Sequence, residues 1–135
     1  MNPKKLILLF LALFFLGIAR GEKVPERRED ASHVVVGKVS EVFKSDGQEY
    51  VAYVVKIQVE KVEKGKGPAK GHFFYAECFE RKPHEGPGVP EPGASGHTGV
   101  PKAGERIRVF TNNGNSANEG VYPDWYDVLS KVENE

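Results

Sequence analysis

The chain has a single cysteine, Cys78, so no intramolecular disulfide can form. Small exported domains often depend on such bridges; this one must be held by its core alone. A lone cysteine in an apolar strand is first a small buried hydrophobe. Cys78 also lacks the helix N-terminus or cationic neighbour that lowers a thiol pKa, which argues against a Cys–His nucleophile. No Gly-x-Ser-x-Gly, phosphate loop or dinucleotide fingerprint occurs. Metal-ligand spacing is missing as well. Cys78 to His84 spans six positions and His84 to His97 thirteen, which matches no standard structural zinc pattern, even with His72, Glu80 and Glu85 nearby. The expectation is no metal, no cofactor and no enzyme.

A membrane-spanning run is lacking too. The apolar stretch Leu6–Ile18 covers 13 residues before Arg20 interrupts it, short of the ~20 that a spanning helix needs. Lys4 and Lys5 precede it, and the small residues Ala19 and Gly21 follow. That pattern predicts a signal peptide over 1–21, cleaved after Gly21. The mature chain is then expected to be secreted or periplasmic, without membrane insertion. Of 135 residues 114 remain, enough for one domain.

An excess of positive charge is also absent. Without Lys4, Lys5 and Arg20 there are sixteen basic against nineteen acidic groups, a formal −3. That argues against a nucleic-acid or anionic-membrane partner. Lys61, Lys64, Lys66 and Lys70 cluster, but Glu60 and Glu63 alternate with them, which reads as a solvated strand end. Glu22–Ser32 is charged and without period, and predicts a flexible leader.

What is present is strand patterning. Val51, Tyr53, Val55, Ile57 and Val59 alternate with an increasingly polar set, the period of a half-buried strand. His33–Phe43 and 49–64 flank Asp46-Gly47, which suits a tight hairpin turn. The alternation breaks at Val62, so a bulge is expected near Glu60-Lys61. Further strands are predicted at 72–79 and 105–112, with a final element within 121–132. Trp125, Val128, Leu129 and Val132 fit helical spacing, with Asp124 as a cap. A short C-terminal helix over 124–132 is therefore expected, although a strand fits nearly as well. The fold class is all-β: one five-stranded, OB-like Greek-key barrel over 33–132, with a Gly/Pro-rich loop at 80–104. Eleven of those 25 loop residues are Gly or Pro, so the loop should run over the surface.

Ala31-Ser-His-Val-Val-Val-Gly-Lys-Val-Ser-Glu-Val42, the Val-rich partner strand ending Glu63-Lys-Gly65, and Gly104-Glu-Arg-Ile-Arg-Val-Phe110 resemble the netrin/TIMP-like modules. The resemblance covers roughly 31–112 and implies an OB-type barrel in an exported protein. Inhibitors of that family chelate zinc through an N-terminal cysteine. Here cleavage would expose Glu22, and the family's disulfides have no cysteines to form them. Only the fold is implied.

The expected function is that of an exported, non-catalytic binding module. It would contact an extracytoplasmic protein or glycan through the barrel face and the 80–104 loop. The candidate contact residues are Phe73, Tyr75, Phe79, His84, His97, Tyr122, Trp125 and Tyr126, since aromatics anchor interfaces. The same rings would alternatively fill or cap the core. The alternative function is a protease regulator presenting the Pro-rich loop as a wedge; a metal-dependent enzyme ranks below it.

Overall fold

Alternation along 50–59 produces a strand, and the rest of the barrel is laid against it. The computed structural model describes residues 23–83, 86–88, 93–113 and 118–130. The expected signal peptide and His84 lie outside the described residues. Six strands form: β1 His33–Asp46, β2 Tyr50–Lys64, β3 Phe73–Arg81, β4 Arg106–Asn113, β5 Asn118–Gly120 and β6 Tyr126–Ser130. β1 pairs antiparallel with β2, β2 with β3 and β5 with β4. A parallel contact joins β3 to β5, and β4 returns to β1 to close the ring. The order β1-β2-β3-β5-β4 closing on β1 is that of an OB-like barrel. β6 pairs with β4 outside this ring.

Two apolar layers follow from the pleat. Val35, Val39, Val55, Ile57, Phe74, Ala76, Cys78, Ile107 and Val109 point into the barrel and are buried. Val121 and Trp125 join them. The opposite face of β2 and β3 is apolar at one end, where Tyr50, Ala52, Val54 and Phe79 pack with Ala94 and Tyr122. The expectation of a strand wet on one face thus holds only past Val54: Lys56 is half-buried, and Gln58 and Glu60 are exposed.

The bulge expected near Glu60-Lys61 is present. Val36 opposes Lys61 and Gly37 opposes Val59, so Glu60 is the extra residue. A second extra residue is Glu63, and a third is Ser40 on β1. These irregularities coil the long hairpin enough for β1 to meet both β2 and β4. Gly37 sits at the tightest approach, where a Cβ would come within 2.3 Å of the Gln58 carbonyl oxygen.

Two expectations about the C-terminal part are corrected. The helix expected over 124–132 does not form among its described residues, 124–130, where Tyr126–Ser130 is a strand. Backbone groups of β4 from Arg106 to Val109 need partners beyond the stretch paired with β5, and β6 supplies them. Val128 stays exposed, so a helical stripe there would have had nothing to bury against. The fifth barrel strand, expected within 121–132, is instead Asn118–Gly120.

The charged segment expected to be a flexible leader lies along the barrel from Lys23 onward. Glu26 N–H donates to the Tyr122 carbonyl at 2.7 Å, and the Glu26 carboxylate accepts from Asn112 and from Tyr122 N–H. Arg28, on a single 3-10 turn spanning Arg28–Asp30, grips both carboxylate oxygens of Asp127 at 2.9 Å and Asp124 at 2.8 Å. Its guanidinium lies over the Phe110 ring, and Ala31 is fully buried.

Candidate binding face

The eight candidate contact residues divide into two places, apart from His84. Phe79, His97, Tyr122 and Trp125 are buried, with exposures of 2%, 6%, 6% and 0%. They cannot be the exposed contact rings that the sequence suggested. His97 is at the centre of this group, edge-on to Phe79 at 4.9 Å, Tyr122 at 5.4 Å and Trp125 at 6.0 Å. Tyr126, half-buried, packs edge-on to Trp125. The His97 ring is fixed by two backbone groups. Phe79 N–H donates to Nδ1 at 3.1 Å, and Nε2 lies 2.8 Å from the Gly120 carbonyl. That pattern requires the neutral imidazole protonated on Nε2. Burial lowers its pKa to about 4, and protonating Nδ1 would break the bond from Phe79.

The second half of the 80–104 loop is consequently a packed element. Gly96 bridges Glu80, Ala94 is buried, and Thr98 N–H donates to the Pro123 carbonyl. Gly99 accepts the Trp125 indole N–H at 3.1 Å. Of this second half, Ser95, Thr98 and Gly99 stay exposed. In the first half, Gly86, Pro87 and Gly88 are exposed.

Further along the same outer face of β3, Tyr75 is half-buried against the cluster that holds Phe79 and Tyr122, and Phe73 lies beyond it, exposed. Strand register places their neighbours. Phe73 opposes Gln58, Gln58 opposes Lys38, and Lys38 opposes Arg106, one row across four strands. On one side of this row lie Tyr75, Lys56 and Glu41; on the other, Lys61, Val36 and Arg108. Phe73 is 39% exposed, and the Lys56 ammonium sits 4.2 Å from its ring centroid. A ring beneath an ammonium holds the charge in place at little entropic cost.

The two bulged glutamates are committed on this face. Arg106 Nε donates to Glu60 at 2.7 Å and Arg108 Nε to Glu63 at 2.5 Å. The bond from Arg108 holds the Glu63 carboxyl below the usual carboxylate range. Lys38, Lys56 and Lys61 have no ion pair among the described residues. The solvated strand end read from the sequence is thus a basic surface, whose alternating acids are taken up by arginines from β4. Sequence reasoning missed Lys38, Arg106 and Arg108 because only β1–β4 closure brings them beside Lys61.

Further along β3 the same face buries Glu77, with neither carboxylate oxygen hydrogen-bonded. It opposes Val54 on β2 and Glu119 on β5. Burial, and then the Glu119 charge, raises its pKa to about 7. Inside the barrel, burial pushes the Cys78 thiol well above its ordinary pKa. Among the described residues no three His, Cys, Asp or Glu side chains converge as a metal-binding group. No family model matches the chain, and no curated protein or solved structure matches it.

Proposed function

We propose that this protein is an exported, non-catalytic binding module that contacts an extracytoplasmic protein or glycan through the outer face of β1, β2 and β3. The observation that carries this reading is the Phe73–Lys56 pair. An aromatic ring exposed on a sheet face, with an ammonium fixed over it, is a contact element set before any partner arrives. The OB-like topology supports it, because such barrels use the face of their second and third strands for ligands. Export rests on the signal-peptide pattern of residues 1–21.

The test is capture from the envelope fraction and culture fluid of the producing cell. Wild type is expected to retain a specific component that the Phe73→Ala/Tyr75→Ala double variant loses. The double variant should unfold at a lower temperature, because Tyr75 is half-buried against the Tyr50, Val54 and Phe79 cluster, yet stay folded at the assay temperature, because neither ring lies in the barrel interior. Equal capture by the two proteins would remove this face from consideration.

A further inference from the structure

We propose that the row from Phe73 to Arg106 binds a carboxylated polysaccharide chain laid across the strands. This deepens the binding-module reading and rests on it. Neighbouring strands lie ~4.8 Å apart, so the row spans about 14 Å over β3, β2, β1 and β4. Lys38, Lys56, Lys61, Arg106 and Arg108 stand on or beside it, against Glu41, Glu60 and Glu63, while Asp127, opposite Arg108, is held by Arg28. Glu60 and Glu63 are bound by Arg106 and Arg108. The three lysines, without ion pairs among the described residues, are left to meet an anion from outside. Lys66 and Lys70 on the adjoining β2–β3 loop extend the positive charge. This loop folds back onto the row, where Gln58 Nε2 donates to the Gly71 carbonyl and Gly71 N–H donates to the Val59 carbonyl.

Three features select among polyanions. Carboxylates stand among the cations, so a nucleic-acid duplex carrying one charge per ~1.7 Å of its axis would meet repulsion as well as attraction. An anion with widely spaced charges can place each one beside a lysine. An acidic peptide would need partners for its own backbone groups. In the row, β1 and β2 each have neighbouring strands on both sides, so neither offers a free edge for strand addition. A polysaccharide presents hydroxyls that Gln58 and water can satisfy, and ring faces that can rest on Phe73.

The experiment titrates polygalacturonate into the mature protein by calorimetry, with neutral dextran, poly-glutamate and anionic phospholipid vesicles as comparisons. Polygalacturonate is expected to bind, and dextran not to bind. Affinity should fall as salt is raised and drop at least about tenfold in Lys38→Glu/Lys61→Glu, whose exposed substitutions leave the melting temperature unchanged. Absence of binding, indifference to the double variant, or equal binding of poly-glutamate or vesicles would each overturn the ligand class. If polygalacturonate fails while Phe73→Ala/Tyr75→Ala still abolishes capture of a cellular component, the ligand class falls and the binding module stands.

Discussion

His97 donates from Nε2 to the Gly120 carbonyl at 2.8 Å, across 23 residues of chain and between two elements that share no ladder. The same ring accepts from Phe79 on β3. One neutral imidazole thus ties the loop to β3 and β5, the two strands joined by the parallel contact. Replacing His97 by Phe keeps an aromatic ring there but removes both hydrogen bonds, and the buried Gly120 carbonyl loses this donor. A buried group left without its partner costs about 1–3 kcal/mol, so the variant should lose at least that much. Urea denaturation of wild type and variant measures this, and a loss below ~1 kcal/mol would show that water replaces the ring.

Two buried groups give the protein opposing pH responses. Glu77 is raised from 4.5 to about 7. Its stabilising contribution is fully present below 4.5 and is lost as pH rises through about 7. His97 is lowered from 6.5 to about 4. Its contribution is present above 6.5 and is lost as pH falls through about 4. Between about 4.5 and 6.5 the slopes oppose each other, so these two groups together leave stability nearly flat. Glu77→Gln removes one slope, and stability of the variant should then rise with pH across that window. Melting temperatures measured from pH 4 to 8 would settle it; parallel profiles for the two proteins would refute the assignment.

Gly37→Ala should be disruptive although alanine is small. The added carbon meets the Gln58 backbone oxygen at 2.3 Å and the Ile57 side chain at 2.7 Å, and a ladder carbonyl cannot swing aside. A loss of about 1–3 kcal/mol is expected from overpacking, read from the denaturation midpoint. An unchanged midpoint would mean that the hairpin relaxes there freely.

Cys78 is fully buried among Val55, Ala76 and Val109 in the barrel core. It should resist alkylation in the folded protein and react once denaturant is added. Cys78→Ala should cost about 1 kcal/mol, as a small cavity. Rapid labelling under native conditions would contradict the burial.

The 80–104 segment should tolerate shortening unevenly. Exchange of residues 84–92 for a short Gly/Ser linker should leave stability within about 1 kcal/mol, since closure entropy changes slowly with loop length. Extending the exchange through residue 101 removes His97 and the Gly99 carbonyl that accepts from Trp125, and should prevent stable folding. Equal behaviour of the two exchanges, by circular dichroism and denaturation, would be the contrary result.

The barrel was legible where burial is periodic. Val51 to Val59 announce β2, and the break at Val62 announces the bulge, because one extra residue must restore the inward face. Trp125 misled, since a single large ring at helical spacing from Val128 and Leu129 looks like a stripe. In the fold that ring enters the barrel interior while the residues after it run along β4. The leader hid for another reason. Arg28 is ordered by Asp124 and Asp127, 96 and 99 positions away, and no local pattern encodes such a partner. His97 sits among glycines and prolines that suggest solvent. Its role depends on Phe79 and Gly120 meeting around it. On the binding face, Phe73 and Tyr75 could be read from alternation, whereas Lys38, Arg106 and Arg108 required knowing which strands touch.

The fastening of residues 26–28 to 122–127 bears on when the chain can fold. These contacts are of very high sequence separation, and the β1–β4 pairing already spans most of the domain. Such non-local topology folds slowly, and during synthesis the first strand must wait for nearly the whole chain. A nascent polypeptide halted before residue 118 would lack β5, Trp125 and the anchors for Arg28, and should stay open to protease. That delay would suit the export proposed above, and protease digestion of ribosome-arrested lengths would measure it directly.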